Sequence, residues 1–343
     1  VTAMRSAGLI DLQVNGFAGI DFNSGTITTA ELDHALEAML ATGVTICLPT
    51  IITAHPHELE QRFIALDKAV SESRLGRLMC PGYHLEGPFL NPAEGYHGCH
   101  PPEAMTAAGI GLVERLQGLI SRPILLVTLA PEVEGALALV AALKRSGRII
   151  AIGHSAVDFD LAEAAAQAGA TLSTHLGNGM PQQAHKLNNA IFAQLAEDRL
   201  YASFIADGIH IQPKALKALI RAKGMERAIL VTDAISAAAS QPGRYPFAGM
   251  SVELGADGAV RQPGGVGLAG SALSLDQGVR NLVAWGLATP ENAIALASGH
   301  PLALLEPSLK AFGITLDLGE VDWSDALAVR SVRLGEVERR FAA

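Results

Sequence analysis

Glu86, His154, His175 and Asp233 each fall at or just after the C-terminal end of a short apolar run. The runs are Pro-Gly-Tyr-His-Leu-Glu86, Ile-Ile-Ala-Ile-Gly-His154, Ala-Thr-Leu-Ser-Thr-His175 and Ala-Ile-Leu-Val-Thr-Asp233. Buried strands ordinarily finish in turn residues, so a repeated ending in His, Glu or Asp is not explained by packing alone. Two imidazoles and one carboxylate from three strand ends, Glu86, His154 and His175, form a three-ligand set with an open position. Catalytic zinc uses that arrangement to bind and activate water. A metal still leaves a proton to be taken from the water and one to be given to the leaving group, and Asp233 can do both in turn. Taken singly, a strand-end His or Asp is more often a hydrogen-bonding loop residue. The four together favour the metal reading, because a parallel αβ barrel brings all its strand ends to one rim.

Elements able to position them follow from the periodicity. Strand-like runs at residues 8–14, 44–48, 82–85, 124–128, 149–152, 170–173, 200–205 and 228–231 alternate with helix-periodic stretches such as 29–41, 58–71, 135–144, 161–167 and 213–223. Eight strands in a βα alternation predict a closed (β/α)8 TIM barrel. A doubly wound nucleotide-binding sheet is disfavoured, since no GxGxxG or P-loop pattern occurs. Turn signals at Ala256-Asp257-Gly258 and Pro263-Gly264-Gly265 predict a hairpin within 246–270, inserted after the eighth strand. Beyond Phe312, alternating segments including Ile314-Thr315-Leu316-Asp317-Leu318 predict a small β appendage. The expected organisation is a catalytic barrel over 6–311 and a C-terminal β appendage over 312–343.

Composition is consistent with this. Of 343 residues, 49% are hydrophobic and 17% charged, enough apolar material for a large core and too little charge for a disordered chain. The net charge of −9, with Lys and Arg scattered, argues against nucleic-acid or anionic-membrane partners. Three cysteines, Cys47, Cys80 and Cys99, at irregular spacing predict no disulfide framework and a reducing, cytoplasmic setting. No targeting leader and no apolar stretch of membrane-spanning length is visible in the chain.

With these motifs in place, the chain resembles the amidohydrolase superfamily and, within it, the N-acetylglucosamine-6-phosphate deacetylase family. The resemblance runs through Gly8-Leu9-Ile10-Asp11-Leu12-Gln13-Val14-Asn15-Gly16, His84-Leu85-Glu86-Gly87-Pro88-Phe89, Ala130-Pro131-Glu132, Gly153-His154-Ser155, Thr174-His175-Leu176, Ala206-Asp207-Gly208-Ile209-His210, Thr232-Asp233-Ala234 and Leu268-Ala269-Gly270-Ser271. These occur in the family's order and cover essentially the whole barrel. The resemblance implies Glu86, His154 and His175 as metal ligands and Asp233 as proton shuttle, in agreement with the reading from residues alone.

It further implies that His97, in Gly95-Tyr96-His97, donates to the amide oxygen, and that Asn178, Gly179, His210 and the Leu268-Ala269-Gly270 motif hold the sugar or its phosphate. Most of the superfamily opens with His-x-His on the first strand. Gln13 and Asn15 stand there, and neutral amides are poor ligands, so one divalent metal is expected. Zinc is the expected ion, with iron, cobalt and manganese as alternatives. The expected substrate is a small N-acetyl amino-sugar phosphate, giving acetate and glucosamine 6-phosphate, and the expected assembly is a homodimer.

Several departures from the family pattern bear on the substrate. Gly177-Asn178-Gly179-Met180 stands for Phe-Asn-Ala-Met, and Lys186-Leu187-Asn188-Asn189 stands for Arg-Glu-Pro-Gly. Lys186 meets phosphate as a point charge where Arg would present a fork. Gly98-Cys99-His100 replaces the Asn expected after His97. The family has several dozen residues before the barrel, whereas here the first barrel strand is read almost at the start of the sequence, so the C-terminal strands are expected to lack their usual partners. Two alternatives remain open: a deacetylase of a related or unphosphorylated N-acyl amino sugar, and a non-catalytic barrel binding protein. His55, His57 and Cys99 are read as loop residues, and Glu132 as a residue that orients loops.

Overall fold

The computed structural model describes residues 4–265 and 267–341. Eight parallel strands form one sheet in sequential order: Leu9–Val14, Val44–Ile52, Tyr83–Glu86, Ile124–Leu129, Ile149–Ile152, Leu172–Ser173, Tyr201–Phe204 and Ala228–Leu230. Just beyond the eighth, Ala234 bridges in parallel to Val14 of the first, and the Asp233 amide donates to the Gln13 carbonyl at 2.9 Å. These contacts close the sheet into the expected barrel.

Local chemistry explains the helices that wrap it. Thr28 and Glu31 form a reciprocal capping box at the start of Thr29–Leu40, and Pro at the first position opens both Pro56–Glu72 and Pro213–Lys223. Each helix buries one apolar stripe, such as Leu32, Ala35, Leu36 and Met39, against the outside of the sheet. The strands are buried on both faces, which is why they read as continuous apolar runs without alternation.

Inside the barrel, Ile10, Leu12, Ile46, Leu48, Ala151 and Ile229 belong to one buried apolar cluster. A chain of hydrogen bonds crosses the interior, from Thr50 Oγ1 to His84 Nδ1 at 3.3 Å, His84 Nε2 to Thr128 Oγ1 at 2.8 Å and Thr128 Oγ1 to Thr174 Oγ1 at 2.9 Å. Burial pushes the His84 imidazole down to about 4, so it is neutral near pH 7.

The expected alternating strand at 314–318 is not formed. Ile314, Leu316 and Leu318 pack instead against the apolar cluster of the barrel interior, and the Leu318 carbonyl accepts from the Gly8 amide at 3.1 Å and Thr45 Oγ1 at 2.8 Å. Their alternation serves to cover the barrel, so no strand pairing is needed. Gly8 is required by this close passage, since a Cβ there would lie 1.9 Å from Thr45 Oγ1.

The C-terminal strands are also not left without a partner. Met4–Ala7 pairs antiparallel with Glu320–Trp323, which continues through Val329–Leu334 to Val337–Arg340 in one four-stranded sheet. The insertion after the eighth strand is larger than one hairpin: Gly243–Phe247, Met250–Leu254 and Val260–Arg261 form a three-stranded antiparallel sheet.

Candidate active site

Glu86 is the last residue of the third barrel strand, while His154, His175 and Asp233 follow the fifth, sixth and eighth by two or three residues. Those last three have left-handed backbones, with φ of 51°, 30° and 49°. His and Asp tolerate this region better than most residues, yet each such turn costs on the order of 1 kcal/mol. The turns lift the side chains off the strand direction and aim them inward over the barrel mouth. His154 Nε2 and His175 Nε2 lie 3.5 and 3.0 Å from the same oxygen, Glu86 Oε1. Ligand atoms of Glu86, His154 and His175 all fall within 4.8 Å of one another, and all three residues are buried.

The chemistry of the three residues fits a divalent cation. His154 Nδ1 is 2.7 Å from the Tyr96 carbonyl, which can only accept, so that nitrogen carries the proton and Nε2 presents its lone pair. Burial acts to raise the Glu86 carboxyl, but the surrounding imidazoles of His154, His175 and His100 outweigh this and hold it well below its ordinary value. Burial likewise acts to lower His175, and Glu86 more than reverses it. Both shifts mean that positive charge is favoured between these groups.

Asp233 faces the same space. Burial, the largest influence, raises its carboxyl to about 6, with Glu86 adding to the rise and His175 opposing it. Gln13 Nε2 donates to Glu86 Oε1 at 3.0 Å and to Asp233 Oδ1 at 3.2 Å, and Asn15 Nδ2 donates to the latter at 2.8 Å. The two amides therefore serve as donors to the carboxylates.

The chain is 35% identical over 321 residues to N-acetylgalactosamine-6-phosphate deacetylase of Escherichia coli O157:H7, covering 90% of this chain and 82% of the relative. It is 35% identical over 277 residues to N-acetylglucosamine-6-phosphate deacetylase of Bacillus subtilis strain 168, covering 80% and 68%. The chain belongs to the N-acetylglucosamine-6-phosphate deacetylase family. The solved structure of a family member, N-acetyl-D-glucosamine-6-phosphate deacetylase from Mycobacterium smegmatis, superposes with a TM-score of 0.82 at 28% identity, covering 98% of this chain and 87% of that one. No protein-family model matches the chain. As in the other deacetylases of this family, the barrel is that of an amidohydrolase, and the protein is a hydrolase whose buried Glu86, His154 and His175 can hold a divalent metal ion.

In this member of the deacetylase family the four residues open into a cavity of about 750 Å³, within the size range of small-molecule sites. His97, Asn178, Gly179, His210, Leu268 and Gly270 all line it. His97 is half-buried, and its Nδ1 has no hydrogen-bond partner among the described residues. Asn178 donates through Nδ2 to the His175 carbonyl at 3.1 Å, bracing the turn that carries that histidine. Gly179 lies so close to His154 that a Cβ would come within 2.7 Å of Nδ1. His210 Nδ1 is held by Asp207 Oδ2 at 2.5 Å. Ala269 is buried between its two lining neighbours. Lys186 is exposed on the 181–189 loop and is not among the lining residues.

The cavity also holds a histidine to which the sequence reading gave no role. His100 is buried, with Nε2 3.7 Å from Glu86 Oε2, Nδ1 2.8 Å from Thr53 Oγ1 and its ring 4.5 Å from that of His154. Burial, then the neighbouring His154, pushes it down to about 3, so it is a neutral imidazole. Gly98-Cys99-His100 repeats the Gly-x-His pattern of Gly95-Tyr96-His97, a signal available in the chain. Cys99 lines the cavity too, but burial, then Asp233 and Glu86, raises its thiol to about 12, leaving it protonated and a poor ligand. Glu132 accepts from Asn91 Nδ2 at 2.9 Å and from Ser155 Oγ and the Ala156 amide at 2.6 Å each, tying together the loops that follow Glu86 and His154.

Proposed function

We propose that this hydrolase removes the acetyl group from N-acetylglucosamine 6-phosphate, releasing acetate and glucosamine 6-phosphate. The observation that carries the reading is the convergence of Glu86, His154 and His175 beside Asp233, on a cavity large enough to admit a sugar phosphate, in a chain of this family. When bound, a divalent metal, for which zinc is proposed ahead of iron, cobalt or manganese, would polarise the amide carbonyl and lower the pKa of water. Glu86, His154 and His175 would hold it.

The chain's own residues would do the rest. Asp233, ionised, takes a proton from water as its oxygen attacks the acetyl carbon. His97 donates a hydrogen bond to the amide oxygen as negative charge develops there. Asp233 then passes its proton to the nitrogen, the C–N bond breaks, and acetate leaves the amine. A carboxyl raised towards 6 suits a group that must accept and then donate near neutral pH. Asn178, Gly179, His210 and the Leu268-Ala269-Gly270 segment are proposed to seat the sugar.

A second reading, deacetylation of the unphosphorylated or epimeric sugar, is favoured by two observations. Lys186 stands outside its own chain's cavity, and the relatives at 35% identity carry the names of both epimers. The test is acetate release from N-acetylglucosamine 6-phosphate, its galactosamine epimer and the free sugar. The proposal expects the glucosamine phosphate to be turned over with the highest kcat/KM; no release from any of the three would end it.

We also propose a homodimer, in which the exposed Lys186 serves the cavity of a second copy, and a catalytic barrel over 6–311 supported by the residues from 312 onward. A cytoplasmic setting is supported by Cys47 and Cys80, which are free thiols with sulfurs 3.7 Å apart. Among the described residues no helix is long and apolar enough to cross a membrane.

A further inference from the structure

We propose that Arg261, on the inserted antiparallel sheet, is the residue that recognises the substrate's phosphate. This rests on the sugar-phosphate reading above. A phosphate monoester brings nearly two negative charges at neutral pH into a cavity already lined by Glu86 and Asp233. It needs a cation away from the reacting acetyl group. Arg261 is the one lysine or arginine among the described residues that line the cavity.

Its position is fixed by backbone pairing. Arg261 lies opposite Glu253 in the insertion and bridges to Leu268, so the strand that carries it is tied directly to the Leu268-Ala269-Gly270 segment. The turn before it leans on the 207–212 segment, since a Cβ at Gly258 would sit 3.5 Å from Ile209 Cδ1. His210 and Gln212 of that segment line the same cavity, so Arg261 shares it with two further hydrogen-bonding side chains.

The guanidinium is available. Its one side-chain partner among the described residues is Asp257, with Nη1 to Oδ2 at 3.0 Å; Asp257 is exposed and Arg261 partly so. A solvent-accessible pair of this kind contributes little, so exchanging Asp257 for a phosphate costs little. Arg also offers several N–H groups in a planar fork that matches two phosphate oxygens, which Lys186 cannot do.

The test compares glucosamine 6-phosphate with glucosamine in calorimetric binding, alongside acetate release from the corresponding N-acetyl sugars, for wild type, Arg261→Ala, Arg261→Lys and Lys186→Ala. The expected result is that Arg261→Ala cuts the preference for phosphorylated over free sugar, as a ratio of Kd values, by about tenfold or more. Arg261→Lys should recover only part of it, and Lys186→Ala should lose less. A preference unchanged in Arg261→Ala, lost only in Lys186→Ala, or absent from the wild type would overturn the proposal. Arg261-dependent binding of glucosamine 6-phosphate without acetate release would instead uphold the phosphate site and overturn the deacetylase reading.

Discussion

Asn15 Nδ2 donates to Asp233 Oδ1 at 2.8 Å, and Gln13 Nε2 donates to the same oxygen at 3.2 Å, across 218 and 220 residues of sequence. Both donors engage one oxygen of the carboxylate, leaving Oδ2 without a hydrogen bond among the described residues. Positions 13 and 15, where most amidohydrolases place metal-binding histidines, here orient the proposed proton carrier. Asn15 lines the cavity, and its Oδ1 is buried without a partner among the described residues.

Replacing Asn15 by Leu removes a donor that helps hold the Asp233 carboxyl down. Asp233 should then titrate higher, and the acid limb of the kcat/KM profile should move to higher pH. The rate at pH 6 should therefore fall by a larger factor than the rate at pH 8. A pH profile of the variant against wild type reads this directly, and an unmoved acid limb removes the role given to Asn15.

Asp233 must be ionised to accept a proton, and burial raises it to about 6. Activity should therefore rise with pH through a value at or below about 6, since a bound cation pulls the carboxyl lower. Asp233→Asn should lower kcat by about 10²- to 10⁴-fold while the protein keeps its metal. Steady-state kinetics with elemental analysis of the same sample decides it; loss of metal together with activity would make Asp233 a ligand instead.

Glu86 is the one anionic member of the proposed ligand set. A chelator should lower the Tm of the wild type, and added zinc should restore it, because a ligand bound only to the folded state stabilises that state. Glu86→Gln should bind substoichiometric metal and show no chelator-dependent change in Tm. A variant that still shifts like the wild type would place the ion elsewhere.

Gly179 has φ of 60°, and any Cβ would press on His154 Nδ1 at 2.7 Å. Gly179→Ala should displace the imidazole from the Tyr96 carbonyl that fixes its protonated nitrogen. Such loss of support weakens metal binding by about 10- to 100-fold. Competition with a zinc indicator measures it, and unaltered affinity would show that the loop gives way without moving His154.

The eight strands, their helices and the four polar strand ends were legible in the chain, because burial on both faces writes continuous apolar runs and the reactive residues break them. Alternation at 314–318 misled, since the period of a strand also suits a segment that drapes apolar residues over the barrel. The partner of Glu320–Trp323 was illegible for another reason: pairing Met4 with Trp323 depends on where the two ends of the chain are brought together.

At the site, residue types alone named Glu86, His154, His175 and Asp233, because their chemistry does not depend on neighbours. Only the closed barrel decided how they meet: left-handed turns at His154, His175 and Asp233, and one Glu86 oxygen facing both imidazoles. The same closure turned Gln13 and Asn15 towards Asp233, buried His100 against Glu86, and set Arg261 rather than Lys186 at the cavity wall. Such contacts join residues from separate strands and loops, and no local period encodes the distance between them.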